Sequence, residues 1–213
     1  MITACVDLRP GLLDVHEQGR RRTCLAIAST IAHEHHIGQR QPLSVEYLFY
    51  QTVALSAAAD PDQGSTMEEA SLALSREGQP VSSAWPYQPA QAYGADWSPP
   101  PFNSEAYKAV MTPGTMSFDE IAVSLSAGRT VVIGLFITDA FIRCDASGII
   151  VDASTDPERS GHAVLAVGCG SDWSGADFLL VRNSWGTGWG MQGHAWMSKK
   201  YASRQVRETA ILG

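Results

Sequence analysis

The stretch from Gln18 to Glu34, QGRRRTCLAIASTIAHE, is the one from which the rest of the chain is best read. Leu25, Ile27, Ala28 and Ile31 form a mostly apolar stripe at helical spacing, and Ala26 and Ala32 are strong helix formers. Thr23 stands where an N-cap belongs. The helix is therefore predicted to begin at Cys24 and to run to about His36, with Ile37-Gly38 as its stop. A thiol at the first helical position faces unsatisfied N–H groups and the positive end of the helix dipole. Both favour the thiolate, which is the nucleophilic form. A cysteine taken alone is better read as a small buried hydrophobe, so the decision rests on the remainder of the chain.

Working outward, Ser44 is placed to cap a second helix through Tyr47, Tyr50 and Leu55. Residues 60–64 have loop chemistry, and Thr66 with Glu69 has capping-box spacing ahead of a helix from Glu68 to Glu77 that stops at Gly78. Residues 79–102 hold six of the eleven prolines together with Trp85, Tyr87, Tyr93 and Trp97, which predicts an irregular segment packed down by its aromatics. Short helices are expected over residues 104–111 and 118–127. Beyond them the pattern changes to strands, at residues 131–137, 148–151, 163–167, 178–182 and 193–197, with a hairpin-like loop over 168–175. Residues 1–17 show little periodicity and are expected to run extended over the surface. Helices first and strands second give an α+β fold with a cleft between the halves.

The chain has 213 residues, enough to bury a sizeable core as one domain. Its net charge of −7 argues against nucleic-acid and anionic-membrane partners. Its four cysteines are scattered with no CxxC, which points neither to zinc nor to a disulfide framework. Cys144 and Cys169 are read as spare buried thiols rather than a pair. His33, His35 and His36 lie in HEHH, not HExxH, and are read as a solvated helix face, so no metal and no cofactor are expected. Asp152, Asp156 and Glu158 make an acidic loop that either influences substrate entry or is simply solvated. The N-terminal residues lack the basic and apolar regions of a signal peptide, and no apolar run is long enough to span a bilayer, so a cytoplasmic location is expected.

Three further residues could turn Cys24 into an enzyme nucleophile. His162 emerges from a loop at the start of the apolar strand GHAVLAVG, where its imidazole can exchange a proton with the thiol. Asn183 ends the strand FLLVRN, and its amide oxygen can hold the other ring nitrogen of His162. Gln18 lies six residues before Cys24, and its amide, with the Cys24 backbone N–H, can bind a developing oxyanion. None of the three is compelling alone.

Together, the order Gln18, Cys24, His162, Asn183 resembles a papain-like cysteine peptidase. His162 follows Cys24 by 138 residues, within the roughly 130–150 of that family. Residues 183–190, NSWGTGWG, match the family's NSWGxxWG nearly letter for letter, and residues 161–168, GHAVLAVG, resemble its HAV strand. Val6-Asp-Leu-Arg9 resembles VDWR, and Trp85-Pro-Tyr87 resembles YPY. The resemblance covers essentially the whole chain.

It implies a single domain of two lobes, a helical one over about residues 10–110 and an antiparallel, β-barrel-like one over about residues 111–213. Cys24 and His162 would stand on opposite walls of the cleft. The implied activity is peptide hydrolysis through a Cys24 thioester with His162 as acid and base, acting on a peptide or protein substrate. An acyl or peptidyl transferase using the same thioester, or a silent peptide-binding module, stays open. Trp185 is expected to shield the His162–Asn183 hydrogen bond and to border the substrate. Arg22, Gly64, Ser65, Gly134, Gly161 and Ala163 are expected to line the substrate pockets, with Gly134 and Ala163 leaving room for a bulky apolar side chain.

The chain also departs from the family. Arg21 replaces a cysteine that normally forms a disulfide, and the partner position near Asp62 is not cysteine either, so an Arg21–Asp62 ion pair is the expected substitute. Arg22 replaces a pocket glycine, and the three arginines at 20–22 either lower the Cys24 pKa or are simply solvated on a loop. No propeptide precedes the mature-like start in this sequence, so control is expected from a protein regulator, from restricted expression or from a narrow substrate, unless the sequence is cut from a longer precursor.

Overall fold

The computed structural model describes residues 1–94, 96–152 and 155–213. Three helices come first: α1 (Cys24–His36), α2 (Val45–Leu55) and α3 (Met67–Arg76). Ser44 caps α2 by accepting the Tyr47 N–H at 3.0 Å, and Thr66 with Glu69 closes a capping box on α3. These are the termini the sequence marks. Thr23 differs: its side chain makes no cap bond to α1. Its hydroxyl instead meets the Tyr87 hydroxyl at 2.7 Å, so the first N–H groups of α1 are left to whatever stands before them.

The sheet is built from β1 (Ile2–Asp7), β2 (Met111–Gly114), β3 (Val131–Thr138), β4 (Ile149–Ile150), β5 (Glu158–Asp172), β6 (Asp177–Arg182), β7 (His194–Ser198) and β8 (Val206–Leu212). Helices α4 (Phe118–Ser126), α5 (Asp139–Ile142) and α6 (Lys199–Gln205) complete the chain. The strand order is β2-β8-β3-β5-β6-β7-β4, with β1 added alongside β5. All pairings are antiparallel except that of β4 with β7. The fold is therefore α+β, as expected. Closure is corrected: among the described residues, β2 and β4 are free edges, so the sheet is open and not a barrel. β4, with only two residues, is too short to carry the ladder further.

The sheet is buried on both faces. Val132, Leu165, Val167 and Leu180 point into a core with α1, α2 and α3. Their neighbours Val131, Ile133, Val164, Ala166, Leu179 and Val181 point into a second core with α4 and Tyr201 of α6. This explains why VVIGLFI in β3 is a continuous apolar run rather than an alternation. α1 packs its length on β5, β3 and β8, which brings its N-terminus to the start of the apolar part of β5.

One expectation fails and two are refined, each for a physical reason. Residues 104–111 do not form a helix, because Tyr107 exchanges both backbone hydrogen bonds with Gln79 at 2.8 Å, and this tertiary bridge overrides local propensity. The N-terminal stretch is not merely extended but pairs as β1 with the far end of β5. The HEHH face is solvated only in part: His36 is exposed and His35 half-buried, but His33 and Glu34 are buried, His33 Nδ1 meeting Gln79 Oε1 at 2.9 Å and Glu34 accepting the Leu43 N–H at 2.8 Å.

Candidate active site

Cys24 opens α1 and lies partly exposed in a cleft of about 450 Å³. Leu25 and Ala163 N–H groups and the His162 ring all interact with its sulfur. Burial pushes the thiol pKa up. The charge and hydrogen bond of His162, then those backbone N–H groups, more than offset this and leave it lowered. The arginines at 20–22 are not among the causes, because Arg21 turns inward and Arg22 extends into the open cleft.

His162 opposes Leu135 of β3 across the ladder, and its Nε2 lies 2.7 Å from Asn183 Oδ1. The same Oδ1 accepts the Ser184 N–H at 2.8 Å, which fixes it as the amide oxygen. Nε2 must therefore carry the proton and donate, leaving Nδ1 to face the sulfur. Trp185 stacks on the ring, with centroids 4.8 Å apart at 36°, and Phe141 meets it edge-on at 5.7 Å. These two aromatic rings keep water from the His162–Asn183 bond.

Gln18 is buried and held at both ends of its amide. Oε1 accepts the Ser184 hydroxyl at 2.6 Å, and Nε2 donates to the Arg21 carbonyl at 2.9 Å. A primary amide has two N–H bonds, so one remains. Ser184 thus ties the two walls together, with its N–H on Asn183 and its hydroxyl and carbonyl on Gln18. The sequence reading passed over it, although it is the second letter of NSWG.

Arg22, Gly64, Ser65, Gly134, Gly161 and Ala163 all line the cleft with Cys24 and His162. Trp185 does not; it sits behind the histidine. Gly134 is small for a reason: a Cβ there would lie 2.6 Å from Glu208 Cγ. Glu208 fills that side of the cleft, and burial raises its pKa. The space beside Gly134 therefore presents a carboxylate rather than an empty apolar pocket. Neither Glu208 nor Arg207 was singled out, since β8 reads as a broken apolar run.

Arg21 does not pair with Asp62, which is exposed. It forms a fork-to-fork pair with Glu46 of α2, both bonds 2.6 Å, with side chains 4% and 0% exposed. All four cysteines are free, and Cys169 lies beside Cys5 on the paired strand rather than beside Cys144. No group of three or more His, Cys, Asp or Glu that could hold a metal occurs among the described residues.

The sequence profile of the papain family of cysteine proteases matches residues 3–212. The chain belongs to that family. Among its papain-family relatives, the cathepsin L-like proteinase of Fasciola hepatica is 28% identical over 192 residues, covering 87% of this chain and 56% of that protein. The chain thus spans about half of that relative's length. Among solved papain-like structures, xylellain, a cysteine protease from Xylella fastidiosa, superposes with a TM-score of 0.79 at 24% identity, covering 100% of this chain and 86% of xylellain. A Carica candamarcensis cysteine protease in complex with E-64 gives 0.74 at 21% identity, covering 97% and 96%. At these identities the structures speak for the papain-like fold alone.

Proposed function

We propose that the chain is a cysteine peptidase in which Cys24, His162, Asn183 and Gln18 carry the chemistry. The observation that carries this reading is the relay from the Cys24 sulfur to the His162 ring to Asn183 Oδ1 at 2.7 Å, with the tautomer fixed by the Ser184 N–H. With Nε2–H held by Asn183, Nδ1 takes the thiol proton and gives thiolate and imidazolium. The sulfur attacks the scissile carbonyl. The Cys24 N–H and the second Gln18 N–H receive the oxygen as it becomes negative. His162 protonates the departing amine, and the same nitrogen then deprotonates the water that releases the acyl group from sulfur. Family membership implies a peptide or protein substrate. Arg22, Gly64, Ser65, Gly134, Gly161 and Ala163 are the residues for it to lie against, and Trp185 acts from behind the ring.

The reading treats residues 1–213 as one peptidase domain whose lobes divide near residue 110. It includes a cytoplasmic location, supported by four free thiols and a buried ion pair where the family carries a disulfide. The negative net charge supports a partner that is neither nucleic acid nor membrane, and no described helix is long and apolar enough to cross a bilayer.

The test is alkylation and cleavage together. Iodoacetamide should label Cys24 at pH 6 faster than it labels free cysteine, and His162→Ala should remove that advantage. Cleavage of a fluorogenic peptide library should vanish in Cys24→Ala and fall by at least ~10³ in His162→Ala. Full cleavage by Cys24→Ala would sink the assignment.

A further inference from the structure

The sequence Gln18–Cys24 is pinned from behind by groups that never reach the cleft. Arg21 uses four of its five N–H donors: two on Glu46, one on the Tyr93 hydroxyl at 3.0 Å and one on the Gln88 carbonyl at 3.1 Å. Its guanidinium lies 4.8 Å over the centroids of both Tyr87 and Tyr93. Glu46 is held in turn by the Trp97 indole N–H at 2.6 Å. The Tyr87 hydroxyl donates to the Gln18 carbonyl at 2.8 Å and so accepts from Thr23. The proline-rich segment therefore serves as the socket for one buried arginine.

That arginine's own carbonyl is the acceptor that orients the Gln18 amide, at 2.9 Å. A side chain fixed at four points fixes its peptide plane. The carbonyl then aims one Gln18 N–H backward, and with Oε1 held by Ser184 the planar amide has a single direction left for the other N–H. We propose that Arg21 and Glu46 are positioning residues for the oxyanion site: their buried pair sets the carbonyl that aims the free N–H of Gln18 at the reacting oxygen. The inference rests on the oxyanion role proposed for Gln18.

Arg21→Lys keeps the charge but offers a point in place of a fork. A displacement near 1 Å at a reacting group can cost ~10²-fold, so this softer change is expected to lower kcat about tenfold. KM should stay within about twofold, and the rate of Cys24 alkylation should not change, since the thiol and His162 are untouched. A merely structural role would not produce the decisive readout, which is non-additivity. In a Gln18→Ala background the same Arg21→Lys change should leave kcat within about twofold, because the amide it aims is gone.

Equal falls in both backgrounds would overturn the proposal, as would unchanged kcat in a folded Arg21→Lys protein. If Arg21→Lys does not fold, Tyr93→Phe removes one of the four bonds. It should lower kcat two- to threefold with the same dependence on Gln18, and no such dependence overturns the proposal. If Gln18→Ala keeps full kcat, the oxyanion reading itself fails and takes the proposal with it. If Gln18→Ala loses kcat while Arg21→Lys does not, only the positioning claim falls.

Discussion

Two buried arginines flank the candidate active site, and they are housed differently. Arg21, three residues before Cys24, faces a carboxylate, a phenol and two aromatic rings. Burial works against its charge, yet the hydrogen bonds of Glu46 and Tyr93 hold its pKa above the ordinary value. Arg182, one residue before Asn183, donates to the carbonyls of Leu13 and Asp14; among the described residues its Nε has no partner and no carboxylate closes on it as an ion pair, Glu34 and Asp14 attracting it from farther off. Burial brings its pKa down to about 10. The groups around it share the shortage. His16 Nδ1, His194 Nε2 and Glu34 Oε2 are also buried without hydrogen-bond partners among the described residues. A charge matched by a fork of equal shape organises its surroundings, whereas a charge hydrogen-bonded to carbonyl dipoles, with its carboxylates held off, presses on the titratable groups around it.

The comparison can be broken at several points. The largest effect should come from Arg21→Ala, which strands the Glu46 carboxylate in the core; a loss of about 3–5 kcal/mol is expected in urea unfolding. A loss below 1 kcal/mol would mean that the pair is not the stronger housing.

Next is acid. Burial and then Arg182 hold His16 down to about 4, and burial first, with Arg182 adding to it, holds His194 down to about 4 as well. Their unfolded values are higher, so the stability they contribute is present above about pH 6.5 and lost as the pH falls toward 4. Glu34 works the other way. Burial raises it to about 7, so its contribution is present below about pH 4.5 and lost as the pH rises through 7. Two imidazoles outweigh one carboxyl, and stability should fall by about 3 kcal/mol between pH 6.5 and 4, at roughly 1.4 kcal/mol per pKa unit. Thermal melts across that range read it directly.

Arg182→Met should cost about 2 kcal/mol at pH 7, since two part-buried carbonyls lose their donors. It should also shallow the acid loss, because the cation that suppresses the imidazolium forms is gone. Smallest is Tyr93→Phe, one neutral hydroxyl from a network of four bonds, at about 1 kcal/mol by the same unfolding measurement.

The two regions differed as much in legibility. Cys24, His162 and Asn183 could be picked out as candidates because each stands where a strongly patterned stretch begins or ends: Cys24 opens α1, Asn183 follows β6, and His162 begins the apolar part of β5, although it lies inside that strand and not after the loop expected before it. The capping box at Thr66 and the cap at Ser44 were equally plain, since both are local chemistry. Arg21 was misjudged because its partner is set by packing: Glu46, the second residue of α2, is carried inward by the helix face, and nothing in the spacing from 21 to 46 says so. β1 and β8 escaped because they present mixed faces, with Arg207 and Glu208 turned to the cleft where an apolar alternation would be expected. The 104–111 segment misled because a pair of backbone bonds to Gln79 outbids a respectable helical sequence.

β1 finds its mate on β5, where Ile2 stands opposite Asp172. At a synthesis rate of about 5–20 residues per second, the first strand waits on the order of ten to thirty seconds for that mate to leave the ribosome. His162 and Asn183 come out equally late, long after α1 has been made. The nascent chain therefore carries the Cys24 thiol through that interval without the imidazole and the amide that stand against it in the fold.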